Sequence, residues 1–196
     1  MKIPVVYVFD EGFAEATIVS AISLLQNNKE KVEFHLLYPS RMHGSSNKVE
    51  REIVAQGGEV IKHPCLEEWV SKYKVTAPKD RGKNGFQPWN ITIFLKLIIH
   101  QLVQKDKVIF IDGDTIVGEC LKNLFQFKLE DKIVAAVLDE HSENMCKYWK
   151  DLEVDIEHYF NSGVMLLNLK KLREIDFLKK CEVFDNQYGK FCKYSD

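Results

Sequence analysis

The chain has 196 residues, with 27 Lys and Arg against 29 Asp and Glu for a formal charge of −2; it is 45% hydrophobic and 29% charged. That apolar content and near neutrality exclude a largely disordered polymer, and the lack of a Lys/Arg excess excludes a general electrostatic grip on nucleic acid. A chain of this length buries one sizeable core, so a single domain over residues 1–196 is expected.

Val5–Phe9 (VVYVF) is a β-branched and aromatic run that reads as a buried strand, closed by Asp10, Glu11 and Gly12. Ala14–Gln26 then sets Ile18, Ala21, Ile22 and Leu25 on one helical face, and Asn27-Asn28 ends it. Val32, Phe34, Leu36 and Tyr38 alternate as in a second strand. After the turn-forming PSRMHGSSN, a helix is expected over Lys48–Gln56, stopped by Gly57-Gly58, with Glu59–Lys62 as a third strand. Residues 77–88 are the most loop-like stretch. A second helix-period segment carries Ile91, Phe94, Leu95, Ile98 and Leu102 on its apolar side. The strand of DKVIFIDGDTIV follows, then buried strands at Ile133–Leu138 and Gly163–Leu169, the last leading into a Lys-rich helix. Alternating strands and helices predict an α/β fold with a mixed, mainly parallel sheet.

The five cysteines (Cys65, Cys120, Cys146, Cys181, Cys192) are odd in number and show no C-x-x-C spacing. They read as reduced thiols of a cytoplasmic protein. Asp10 and Glu11 come too early for a signal peptide, and no run approaches the roughly 18 apolar residues of a membrane span. A soluble chain without a transmembrane segment is expected.

Asp112 and Asp114 close an apolar strand, where α/β sheets bind ligands. Buried carboxylates need a compensating cation or hydrogen-bond donors. Residues i and i+2 of an extended chain point the same way, so both carboxylates can reach one ion. Gly113 between them lets a ligand approach the backbone closely. Oxygen ligands suit Mg²⁺ or Mn²⁺, completed by substrate phosphates. The plain alternative is an acidic turn ending a strand. A second alternative is a haloacid-dehalogenase-type phosphatase, but that pattern wants D-x-D-G-T where this chain reads D-G-D-T-I. In YFNSGVMLLNLKKLRE, Asn161 offers an amide to a polyhydroxylated ligand, and Ser162 and Gly163 are small enough for a ring to pack on the chain. That segment also reads as a turn entering a strand.

Three blocks, VYVFDEGFAEATIVSAISLL, KLIIHQLVQKDKVIFIDGDTIV and YFNSGVMLLNLKKLRE, together resemble the family 8 retaining glycosyltransferases. That group includes lipopolysaccharide galactosyl- and glucosyltransferases and glycogenin. The resemblance implies a GT-A (Rossmann-like) fold that takes a UDP-sugar with Mn²⁺ (or Mg²⁺) and transfers a hexose, with retention, to a saccharide or lipid-linked saccharide acceptor. It implies that Asp112 and Asp114 ligate the metal and, with Gly113, bind the donor diphosphate. Val8 and Asp10 would line the uridine pocket. Lys96 would lie near the donor sugar, Asn161 and Ser162 would contact ribose or sugar, and Asp196 would match the first acid of a D-Q-D motif that binds donor hydroxyls.

Two departures accompany it. Gly12 stands where many members have a polar residue. The sequence ends at Asp196, ahead of the rest of D-Q-D and of the block with a histidine metal ligand and a diphosphate-binding lysine. The expectation is thus a chain lacking the family's C-terminal portion, with a non-catalytic nucleotide-sugar-binding remnant as the alternative. His35 and His100 read as packed histidines, and Trp69, Trp89 and Trp149 as packing residues. The acidic stretch Asp139–Glu157 would border the cleft or be a solvated loop. Lys170, Lys171, Lys179 and Lys180 read as a solvated helix face, with peripheral membrane contact as a secondary reading.

Overall fold

In the computed structural model, which describes residues 1–66, 91–139 and 159–188, the described strands form one six-stranded sheet. They are β1 (Lys2–Val8), β2 (Lys31–Pro39), β3 (Glu59–Cys65), β4 (Lys107–Ile111), β5 (Val134–Leu138) and β6 (Phe160–Asn168). Their order is β3-β2-β1-β4-β6-β5. β1 to β4 run parallel, whereas β6 is antiparallel to both neighbours, with Ile111 opposite Val164. The mixed, mainly parallel sheet is as expected. The 77–88 stretch, the three tryptophans, Cys146, Cys192, the acidic stretch beyond Asp139 and Asp196 lie outside the described residues.

Both faces of the parallel part are covered, which is why β1 and β4 are near-continuous apolar runs and why β2, although it alternates up to His35, buries Glu33 and His35 as well. On one face Ile3, Val5, Tyr7, Phe34, Leu36, Ile109 and Ile111 pack under α1 (Ala14–Asn27) and α2 (His43–Ala55). On the other, Val6, Leu37, Val108, Phe110, Met165 and Leu167 pack under residues 91–103, α5 (Leu169–Glu174) and α6 (Phe177–Tyr188). Residues 91–102 are not one α-helix. Ile91–Ile98 is a 3₁₀ stretch, and only Ile99–Leu102 (α3) is α-helical. α4 (Lys122–Gln126) follows β4.

Other elements differ from the sequence expectation in extent. α2 starts at His43 rather than Lys48, and β3 runs on to Cys65. β3 is an edge strand, so Pro64 removes no ladder hydrogen bond that the sheet needs. The Lys-rich helix is two helices, divided at Asp176, whose φ of 49° is left-handed. Arg173 staples this region to α3: its guanidinium donates to the carbonyls of His100 (3.0 Å), Val103 (3.4 Å) and Lys105 (3.0 Å). His100 is a packed core histidine, edge-on to Phe177. His35 is packed too, between Glu33 Oε1 (3.0 Å) and His63 Nε2 (3.0 Å), with Lys105 and Lys2 on the same carboxylate. No described helix is long and apolar enough to cross a membrane.

Candidate functional site

The carboxyl ends of β1, β2 and β4 and the start of β6 lie along one edge of the sheet, because β6 runs in reverse. At that edge β4 stops at Ile111, and the next four residues form a turn closed by Thr115 N–H donating to Asp112 O (3.3 Å). The expectation that Asp112 and Asp114 share a direction through strand alternation is therefore corrected: a turn presents them, with Asp112 half-buried and Asp114 exposed.

Asp112 is held from two sides. Its N–H donates to Gly163 O (2.7 Å) at the start of β6. Its carboxylate lies 3.1 Å from Lys96 Nζ, which comes from the 3₁₀ stretch on the far face of the sheet. Lys96 also donates to Ser162 Oγ (3.4 Å) and sits 4.9 Å from the centre of the Phe110 ring. One ammonium thus ties the turn after β4 to the first residues of β6. A Cβ on Gly163 would come within 3.0 Å of Asn161 Oδ1 and 3.2 Å of Asp112 Oδ2, so this glycine lets the two polar side chains close on each other. Asn161 Oδ1 accepts from Gly163 N–H (2.9 Å), so its carbonyl oxygen is engaged by the chain itself.

Gly113 has a different neighbour from the one expected. It is buried, and a Cβ there would lie 2.3 Å from Thr17 Oγ1 of α1. The bare Cα admits the helix at this point. At the end of β1, Val8 and Asp10 are both half-buried. Asp10 Oδ1 accepts from Phe13 N–H (3.1 Å) and so caps the 3₁₀ turn Glu11–Phe13. Gly12 lies in that turn.

The described structure therefore gathers Asp112, Lys96, Asn161, Ser162 and Gly163 around one point, with Asp114 on the adjoining solvent side. Asp112 and Asp114 supply hard oxygen donors only, which fits a divalent cation that keeps waters and is completed by phosphate oxygens. Among the described residues no cluster of three or more His, Cys, Asp or Glu is placed to hold a metal.

Sequence reasoning missed the residues behind the turn. Thr17 and Ser20 of α1 are fully buried, with Ala21 and Leu24, while Ile22 and Leu25 are only partly buried. Ser20 Oγ lies 2.8 Å from Tyr7 Oη and 3.1 Å from Thr115 Oγ1. Burial raises the Tyr7 phenol well above its usual range, the Ser20 bond opposing it, so Tyr7 remains an O–H donor. The signal was present as polar residues at 17, 20, 23 and 27, a helical spacing hidden by counting apolar positions alone.

Comparison with known proteins accords with this architecture. The profile described as Glycosyl transferase family 8 matches residues 4–196. A Haemophilus influenzae protein named as a glycosyltransferase is 24% identical over 193 residues, 98% of this chain and 56% of its own length. Lipopolysaccharide 1,2-glucosyltransferase of Escherichia coli K12 is 23% identical over 181 residues, 90% of this chain and 50% of its own. The chain thus spans about half the length of these curated relatives. Among solved structures, the galactosyltransferase LgtC, crystallised with donor and acceptor sugar analogues, superposes with a TM-score of 0.80 at 24% identity over 98% of this chain and 67% of that one. This likeness shows the GT-A fold. The phosphatase alternative is not favoured by any of these matches. The match from residue 4 to residue 196 takes in both the β4 turn and the start of β6, and the chain belongs to glycosyl transferase family 8.

Proposed function

We propose that this chain forms the donor-binding part of a retaining glycosyltransferase that moves a hexose from a UDP-sugar to a hydroxyl of a saccharide or lipid-linked saccharide. The observation that carries the reading is the convergence of Asp112, Lys96, Asn161 and Ser162 at the sheet's carboxyl edge. Lys96 balances Asp112 while Asp114 faces solvent, and a nucleoside diphosphate carried with a divalent ion would bring the two carboxylates one shared cation. Family membership supports the same class of reaction.

In this reading Asp112 and Asp114 hold Mn²⁺ or Mg²⁺. When bound, the ion neutralises negative charge on the departing diphosphate. Lys96, now on Asp112, lies where it can turn toward the donor and add a second positive charge. Asn161 NH₂ and Ser162 Oγ donate to ribose or sugar hydroxyls. Val8 and Asp10 border the uridine, and Asp196 binds donor hydroxyls. No side chain is assigned as nucleophile. Lys170, Lys171, Lys179 and Lys180 of α5 and α6 are read as a solvated face, with peripheral contact to an acceptor-bearing membrane as the secondary reading, in a cytoplasmic setting.

Calorimetric titration of UDP with and without Mn²⁺, together with release of free hexose from UDP-glucose or UDP-galactose, tests this. Mn²⁺-dependent UDP binding is expected, lost in Asp112→Asn and Asp114→Asn along with any hexose release. Unchanged Mn²⁺-dependent affinity in Asp114→Asn would overturn the assignment. Binding without hexose release by the wild-type chain would identify the non-catalytic remnant instead.

A further inference from the structure

Residues 112–121 form no strand or α-helix, so their backbone polar groups need partners from elsewhere. α1 supplies many of them through side chains. Ser23 Oγ accepts from Val117 N–H (2.9 Å) and donates to Ser20 O (2.7 Å). Asn27 Nδ2 donates to Val117 O (3.0 Å), and Asn28 Oδ1, just past the helix, accepts from Leu121 N–H (3.0 Å). Thr17 packs on the Cα of Gly113. The helix is laced to the segment along its whole length.

The bond polarity in the middle of this lacing is fixed by counting protons. Thr115 Oγ1 lies 2.9 Å from Asp112 O, a carbonyl that can only accept, so Thr115 donates its one hydroxyl proton there. Thr115 Oγ1 must then accept from Ser20, and Ser20 Oγ in turn from Tyr7, whose phenol stays protonated. Three hydroxyls thus point one way, from the sheet core to the backbone oxygen of Asp112. Such a one-directional chain is mutually reinforcing. Tyr7 and Ser20 are fully buried, so water does not compete for the bond between them, while Thr115 is half-buried.

We infer that Ser20 and Thr115 are positioning residues for the Asp112–Asp114 turn, with α1 and Tyr7 as the rigid backing that sets where the two carboxylates stand. The functional half of this inference rests on the reading of the turn as the diphosphate site. The positioning half stands on the hydrogen bonds alone.

The test measures two quantities on the 196-residue chain: amide hydrogen exchange over residues 112–117 without ligand, and UDP affinity by calorimetry with Mn²⁺. The variants are Ser20→Ala, Thr115→Val and Thr115→Ser, with Asp114→Asn as reference. Thr115→Val keeps the shape and removes the hydroxyl, whereas Thr115→Ser keeps the hydroxyl. Ser20→Ala and Thr115→Val are expected to speed exchange over 112–117 severalfold and weaken UDP binding about tenfold, since small misplacements of binding groups cost at least that much. Thr115→Ser is expected to stay near wild type in both. If Ser20→Ala does not fold, the Thr115 pair decides. Unchanged exchange in Thr115→Val overturns the inference. So does wild-type UDP affinity in Thr115→Val when Asp114→Asn has lost binding. Wild-type affinity in Asp114→Asn sinks the diphosphate reading instead, and the exchange result then judges the positioning on its own.

Discussion

Replacing Gly113 by alanine isolates a single contact between the β4 turn and α1. Gly113 is not among the positive-φ residues, so alanine meets no backbone strain and the cost is purely steric. The new methyl would sit 2.3 Å from Thr17 Oγ1, more than an ångström inside ordinary contact, and 3.4 Å from Thr17 Cβ. Thr17 has little freedom to yield. It is fully buried, β-branched, and its hydroxyl donates to Phe13 O at 2.8 Å. Overpacking of this kind costs about 1–3 kcal/mol, against which the loss of glycine's unfolded-state freedom returns about 0.4–1 kcal/mol. A net destabilisation of about 1–2 kcal/mol is expected for Gly113→Ala. Thr17→Ala removes the offending oxygen and leaves the Cβ of residue 17 at 3.4 Å as the next neighbour, an ordinary contact. In the double variant the steric part should vanish, giving a favourable coupling of about 1–3 kcal/mol. Urea unfolding of the four chains measures it. Additivity within about 0.3 kcal/mol would refute the claim that this glycine exists for the helix. UDP binding by the double variant adds a second reading: recovery along with stability is expected if Gly113 has no direct ligand contact.

Three further outcomes are expected. Arg173→Met leaves the carbonyls of His100, Val103 and Lys105 without their shared donor and should cost about 1–3 kcal/mol by chemical denaturation, with Arg173→Lys recovering only part. Burial holds His63 down to about 4 and also lowers His35, whose bond to Glu33 opposes the burial. Both stay neutral in the fold while the unfolded chain takes protons near 6.5. Stability is therefore full above about pH 6.5 and lost as pH falls from there toward 4. The urea midpoint of the wild type should drop over that window, with a flatter profile in His63→Gln; parallel profiles would disprove the histidine origin. Finally, Lys96→Met removes the ammonium that competes for Asp112. Calorimetry should find Mn²⁺ alone bound more tightly and UDP more weakly; unchanged values for both would remove Lys96 from the site.

Much of this architecture was legible in the residues. VVYVF and KVIFI announce strands buried on two faces, and the carboxylates that follow KVIFI stand at the carboxyl edge of the sheet. What could not be read arises from contacts between distant segments. The apolar run GVMLL looks the same in either direction, so nothing local told that β6 runs against β4. Ile91–Ile98 has helical apolar spacing, yet packing onto the sheet winds it as a 3₁₀ stretch that brings Lys96 to Asp112. The buried face of α1 was set by counting Ile18, Ile22 and Leu25, whereas Thr17 and Ser20 go inside because the turn after β4 satisfies their hydroxyls or packs on them. Gly113 was legible as necessary, but not the reason, since Thr17 lies far from it in sequence.

The reversed strand β6 has one more implication. Its ladder with β4 pairs Ile111 with Val164 and, one step on, joins Asp112 to Gly163 through a 2.7 Å bond. A slip of one residue in that ladder would turn every β6 side chain to the opposite face and part Ser162 from Lys96. The spacing of the two rims is therefore governed by main-chain pairing in the middle of the sheet. Loops at the margin can change in length while the jaws they flank keep their gap.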